Sequence, residues 1–275
     1  LEVRGEATAI QAFTEQGAEE ISYAELLARS RRIAARFAAL GLEPGGKAGL
    51  LAANGADWIV CRLPLILCDV TCVPVDTDIS AAGLQAILEN SAAPRLLVAA
   101  DYRELAEQAV EGLDGRVALW PIDGCGSGAP DSLPEPEGKA PASEAAPEVG
   151  PGAAASRFYT SGTTGIPKAV PLTHDNLLGN LAILLDLGII DGEDRVLLPL
   201  PRHHSFPVLV GLLMPLAVGA RVILPSGLSG PALLAAMQGG GATALVGVPR
   251  LYEAVVESSG KRIAGAPPGV RHLLG

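Results

Sequence analysis

A chain of 275 residues is long enough for one large domain or two smaller ones, and with 49% of its residues hydrophobic it can bury a sizeable core. The formal net charge of −10 excludes a general basic field for nucleic acid or acidic membranes, so any anion site has to be local. The four cysteines, at 61, 68, 72 and 125, stand without a second Cys or His pair at zinc spacing and read as reduced, packed thiols.

The first clear helix opens at Ile21-Ser22-Tyr23-Ala24-Glu25-Leu26, where Ser22 and Glu25 have the spacing of a capping box. Leu26, Ile33, Ala34, Phe37 and Leu40 recur at helical spacing, the arginines between them face water, and Gly41 stops the helix. Strands are expected at 47–52, 71–75, 95–98 and 117–120. Helices are expected between and after them at 56–67, 80–90 and 102–110. This βα alternation predicts a mainly parallel sheet covered by helices. Residues 121–152, rich in Pro, Gly, Ala, Ser and Glu and without an apolar period, read as a linker or surface loop. They divide the chain into a first α/β subdomain, 1–150, and a second, 151–275.

Beyond that stretch, Thr173 is placed to cap a helix from about His174 to Leu187, with Asp175 at its positive end. Asp191–Asp194 reads as a turn, and Val196–Leu200 as a buried strand leading to Pro201–Pro207. A helix at 209–218, a strand at 221–224, a helix at 231–237, a strand at 244–248 and a helix from Pro249 to Val256 follow. No signal peptide is visible at Leu1–Arg4. The longest uncharged apolar stretch, Phe206–Ala220, is interrupted by Pro215 and falls short of the roughly 20 residues that span a bilayer. A buried helix and a cytoplasmic location are the expectation.

The chemistry concentrates in Tyr159-Thr160-Ser161-Gly162-Thr163-Thr164-Gly165-Ile166-Pro167-Lys168, between two β-prone runs. Gly162 and Gly165 remove side-chain bulk where a backbone must turn tightly beside a ligand. Thr160, Ser161, Thr163 and Thr164 offer hydroxyls, successive N–H groups can cradle an anion, and Lys168 adds a positive charge at the rim. By composition alone the stretch is equally a flexible Gly/Ser/Thr linker. Ile166-Pro167 stiffens its end, and the β-prone flanks argue for a hairpin loop. It is not a Walker loop, because Pro167 and Ala169 stand where glycine and Ser/Thr are needed.

Tyr159–Lys168 resembles the phosphate-binding signature of the adenylate-forming superfamily, which includes acyl-CoA synthetases, luciferases and the adenylation domains of peptide synthetases. Ser22-Tyr23-x-Glu25-Leu26 resembles that family's first core motif. Cys68–Asp76 occupies the place of its Gly/Ala-rich motif, with Asp69 and Cys72 as departures. Thr173-His174 resembles its "LTHxNL" segment, although His174 also reads as a structural residue in a helix's first turn. Leu198–Pro207 resembles its "LPxxHxxG" segment, with His204 and Phe206 in the histidine and aromatic places and Pro207 where glycine is common. Gly247–Tyr252 resembles the border of the acyl pocket.

The resemblance implies an α/β fold of mainly parallel sheets flanked by helices, the N-terminal domain of that family's fold. It implies ATP-dependent activation of a carboxylic acid to an acyl-adenylate and transfer of the acyl group to CoA. Thr160 would share the Mg²⁺ shell. Ser161, Gly162, Thr163, Thr164 and Gly165 would hold phosphates. Lys168, Thr164 and His204 would be catalytic, with His204, Phe206 and Gly247 on the acid. A lipophilic acid, fatty or otherwise, is expected from the apolar run Leu209–Met214 after His204. The family's "YGxTE"-like segment, ribose-binding aspartate and C-terminal lysine are not found, so an N-terminal piece, inactive by itself, is expected. Two alternatives stand: a ligase loading a carrier protein, and a non-catalytic nucleotide- or acyl-binding module.

Overall fold

The structure, a computed structural model, describes residues 4–127, 133–134, 149–160 and 167–253. It opens with a hairpin of β1 (Thr8–Thr14) and β2 (Gly17–Ser22), an element the sequence pattern did not announce. Helix α1 (Tyr23–Ala39) starts at the Ser22 capping box, with both reciprocal bonds to Glu25 formed, and ends before Gly41 at φ 79°. Then come β3 (Lys47–Leu51), α2 (Ala56–Leu67), β4 (Thr71–Pro74), α3 (Ala81–Ser91) and β5 (Arg95–Val98). They are followed by α4 (Arg103–Glu111), β6 (Ala118–Pro121), β7 (Ala154–Thr160), β8 (Lys168–Thr173) and α5 (His174–Asp186). The remainder is β9 (Arg195–Leu197), α6 (Ser205–Val208), a π turn at Leu209–Leu213, α7 (Met214–Val218), β10 (Arg221–Leu224), α8 (Gly230–Gly240) and β11 (Ala244–Leu245).

Two sheets result. The first has five strands in the order β11-β9-β10-β1-β2, the second six in the order β6-β5-β3-β4-β7-β8. Each is parallel except for one antiparallel edge strand, β2 or β8. Neither sheet respects a boundary at residue 150, because β1 and β2 join β10 while β7 and β8 join β4.

Successive strand residues face opposite ways, so a strand covered on both sides reads as a continuous apolar run. Leu50, Leu97, Val196 and Val222 enter one core shared by both sheets with Tyr23, Phe37 and Trp58 of α1 and α2. Their neighbours Leu51, Leu96 and Val98 instead meet Leu84, Leu88 and Ala106 under α3 and α4. Leu197 and Ile223 meet Ala236 of α8. Helices α1 and α2 thus lie between the sheets, joined in that core by Val208, Leu212 and Leu216 of the α6–α7 stretch, while α3, α4 and α8 cover outer faces.

Ile122, Cys125 and Leu133, inside the stretch read as a linker, are buried in the central core, and Arg36 donates to the Leu133 carbonyl at 3.2 Å. Their apolar side chains outweigh the Pro/Gly composition around them. All four cysteines are buried and none forms a disulfide. No described helix is long and apolar enough to cross a membrane.

The seam that places β7 on β4 is polar. Thr71 Oγ1 donates to the Ala154 carbonyl at 2.7 Å, and the buried Arg62 donates to Ser156 Oγ at 2.5 Å. Thr71→Val keeps the shape and removes the first bond, so it should cost about 1 kcal/mol of unfolding free energy, read as a lower denaturant midpoint at unchanged slope.

Candidate functional site

In open parallel sheets, ligands bind beyond the carboxyl ends of the strands. Here those ends face one another across the two sheets. Asn54, just past β3, donates from Nδ2 to the carbonyl of Leu200, past β9, at 3.2 Å. The backbone N–H of Arg202 returns a bond to Asn54 Oδ1 at 3.3 Å. A cavity of about 210 Å³ opens here, lined by Asn54, Trp58, Asp76, Asp78, His203 and Leu228 among others. A second, of about 330 Å³, lies past Asn54 and Gly55 and is lined by Phe13, Asp57 and Gly126 among others. Burial is the chief cause that raises the Asp57 carboxyl above its ordinary value.

Strand β7 runs parallel to β4, so its carboxyl end reaches this same edge. Thr160 is its last residue and lies opposite Lys168, the first residue of β8, in the antiparallel register. Both are exposed. The hairpin is anchored from behind, where Tyr159 Oη donates to Asn90 Oδ1 at 2.7 Å and Arg157 donates to the Asn90 carbonyl at 3.4 Å. Ser161, Gly162, Thr163, Thr164 and Gly165 lie outside the described residues.

His204 is exposed and stands at the N-cap of α6 without a side-chain capping bond. Its ring meets His203 edge-on at 4.2 Å, and His203 Nε2 lies 3.6 Å from Asp76 Oδ2. His203, the neighbour of the histidine that the family resemblance singles out, is the one that lines the cavity. Burial is the largest cause that holds the His203 imidazole below its ordinary value; Asp76 and Asp78 pull it upward and His204 pushes it down. Phe206 is 46% exposed. Gly247 serves as a seat for Tyr252, since an added Cβ would come within 2.9 Å of that ring. Tyr252 Oη in turn donates to the Leu245 carbonyl at 2.9 Å.

The apolar run after His204 is only partly available to a substrate, because Leu212 and Met214 are buried. His174 keeps to a structural place in the first turn of α5, 3.8 Å from Asp69 Oδ1. Asp69 takes the left-handed conformation, φ 54°, which suits glycine best and which Asp tolerates. Residues missed at the sequence level are Asn54, Asp76, Arg202 and His203. The available signal was a polar side chain just past the carboxyl end of a parallel strand.

A family model described as "AMP-binding enzyme" matches residues 1–275. The chain belongs to the AMP-binding enzyme family. The family member described as salicyl-AMP ligase / salicyl-S-ArCP synthetase, from Mycobacterium tuberculosis, is 32% identical over 86% of this chain and 43% of its own length. A feruloyl-CoA synthase from Amycolatopsis sp is 28% identical over 90% of this chain and 47% of its own length. Among solved structures, ATP-bound MatB from Rhodopseudomonas palustris superposes with a TM-score of 0.76 at 25% identity, covering 91% of this chain and 48% of MatB. The o-succinylbenzoate CoA synthetase MenE from Bacillus subtilis, solved with its acyl-adenylate, gives 0.74 at 25% identity, covering 93% and 62%. The chain thus spans about half the length of the curated relatives it matches.

For His203, the direction of the shift fixes the sign of a pH effect. The unfolded imidazole binds its proton more readily than the folded one, so native stability should fall as pH drops from about 7 toward 5. His203→Asn should flatten that fall, measured as unfolding midpoints across the range. An unchanged slope would contradict the burial of a neutral ring.

Proposed function

We propose that the full-length protein activates a carboxylic acid with ATP, forming an acyl-adenylate and pyrophosphate, and then passes the acyl group to a thiol, CoA first. The observation that carries this reading is the exposed Thr160–Lys168 strand pair, closing a hydroxyl- and glycine-rich loop at the carboxyl edge of a parallel sheet. ATP and the acid are both anions. A protein with net charge −10 brings them together only where fixed donors and a local cation offset their repulsion.

In this reading the carboxylate attacks the α-phosphorus and pyrophosphate leaves. Ser161, Gly162, Thr163, Thr164 and Gly165 donate to the β- and γ-phosphates, and Lys168 steadies the leaving charge. Mg²⁺ usually keeps several waters and takes phosphate oxygens with few protein ligands. One hydroxyl at the exposed end of β7 fits that demand, so Thr160 is the proposed protein oxygen for the ion. The ion would supply charge neutralisation along the polyphosphate. His204 and Phe206 would border the acid, with Gly247 acting through the Tyr252 ring it seats.

The acid proposed has an apolar body, fatty or aryl; the exposed Phe206, Val248 and Tyr252 support this. The aryl acids named for the salicyl and feruloyl relatives fit the same description. The first of those names also favours a second acceptor, a carrier protein, and assaying CoA against a phosphopantetheinylated carrier separates the two. The cytoplasm is the proposed compartment.

Lys168→Ala in the full-length protein should lower acid-dependent ATP–pyrophosphate exchange by about 10²- to 10³-fold, the usual loss for one transition-state donor. An unchanged exchange rate would remove Lys168 from the mechanism.

A further inference from the structure

Arg202 is among the largest fully buried side chains, 1% exposed. Its NH2 donates to the Gly55 carbonyl at 3.0 Å, and its guanidinium carbon lies 5.1 Å from the centre of the Trp58 ring. Its Nε and NH1 have no hydrogen-bond partner among the described residues, and burial pushes its pKa down to about 9. A buried charge with unused donors is poor for stability, and an apolar side chain of similar volume often does better. Such a residue is better explained by the position it enforces.

What it holds is specific. The loop after β9 belongs to the five-stranded sheet, and the Asn54–Trp58 segment follows β3 of the six-stranded sheet. Arg202 and Asn54 join them through three hydrogen bonds and the ring contact. Asp76, past β4, adds a further tie through His203. Pro201 and His203, on either side of Arg202 in sequence, line the 210 Å³ cavity together with Asn54 and Trp58. Arg202 therefore stands directly behind the wall whose front carries His203, with His204 packed edge-on against that ring.

We propose that Arg202 is a positioning residue: gripped by the Trp58 ring and the Gly55 carbonyl, it fixes the His203–His204 loop of one sheet over the carboxyl edge of the other. This rests on reading that edge as the acid-activating cleft. Trp58 supplies a flat apolar face to the guanidinium plane, and Gly55 presents a carbonyl with no side chain in the way. Lysine in place of Arg202 would keep the charge and lose the planar fork.

The test compares Arg202→Met and Arg202→Lys with the wild type in the full-length protein. Two readouts are needed: KM for the acid and for ATP in pyrophosphate exchange, and the imidazole NMR resonances of His203 and His204. With Met, KM for the acid should rise about tenfold while KM for ATP stays within about twofold, and both imidazoles should shift. With Lys, the change should be intermediate. Unmoved imidazoles in both variants overturn the proposal, and so does a moved pair with an unchanged KM for the acid. Loss of exchange in step with a lowered melting temperature in both variants also overturns it, as the mark of a merely structural residue. If the wild type itself exchanges with no acid, the proposed function fails, and the imidazole resonances alone then decide whether the clamp exists.

Discussion

Strand β7 pairs parallel to β4, and that pairing decides where the Thr160–Lys168 hairpin opens. In the opposite sense the hairpin would emerge at the amino edge, away from Asn54, Asp76 and His203. The seam is held by polar groups deep in the fold: Thr71 on the Ala154 carbonyl, and Arg62 on Ser156. Parallel strands are joined by long crossovers, and the chain reaches β7 from β6 by one that passes β5, β3 and β4, its first residues Ile122 and Cys125 buried in the central core. Everything at the site inherits its direction from this arrangement.

Electrostatics explain why the site is local. A protein with net charge −10 repels a polyphosphate at long range, but that repulsion is screened beyond a Debye length of about 8–10 Å. Under the proposed function, attraction has to come from the hydroxyls and N–H groups of Ser161–Gly165 and from Lys168. The nearby cavity wall carries Asp76 and Asp78, so it suits the neutral part of a substrate better than a phosphate. The buried Arg202 points its charge at Trp58 and Gly55, which makes it a brace between sheets. In the proposed reading, anion attraction and shape thus fall to different cations, Lys168 and Arg202.

Much of the fold was legible because turn residues punctuate it. Asn54-Gly55 precedes α2, Pro94 precedes β5 and Gly219-Ala220 precedes β10, and all three elements fall at the bounds the pattern predicted. The β1–β2 hairpin was not legible: β1 finds its parallel partner in β10, roughly 200 residues on, and β2 is an edge strand with Gly17–Glu20 exposed. The expected helix over 209–218 instead begins at Ser205 and widens into a π turn before Pro215, whose missing N–H and ring do not suit a regular α-turn. Thr160, Lys168 and His204 are proposed as site residues from a motif. Asn54 and Arg202 could not be found that way, because they meet only when segments 148 residues apart fold together.

The central claim is that the Thr160–Lys168 hairpin grips the pyrophosphate end of ATP. Hydrogen–deuterium exchange of the peptide covering 157–170, in the full-length protein with magnesium pyrophosphate, magnesium ATP or AMP, tests it most directly. The account predicts slowed exchange with pyrophosphate and with ATP, and little change with AMP. Protection by AMP alone, or none with pyrophosphate at saturation, would contradict it.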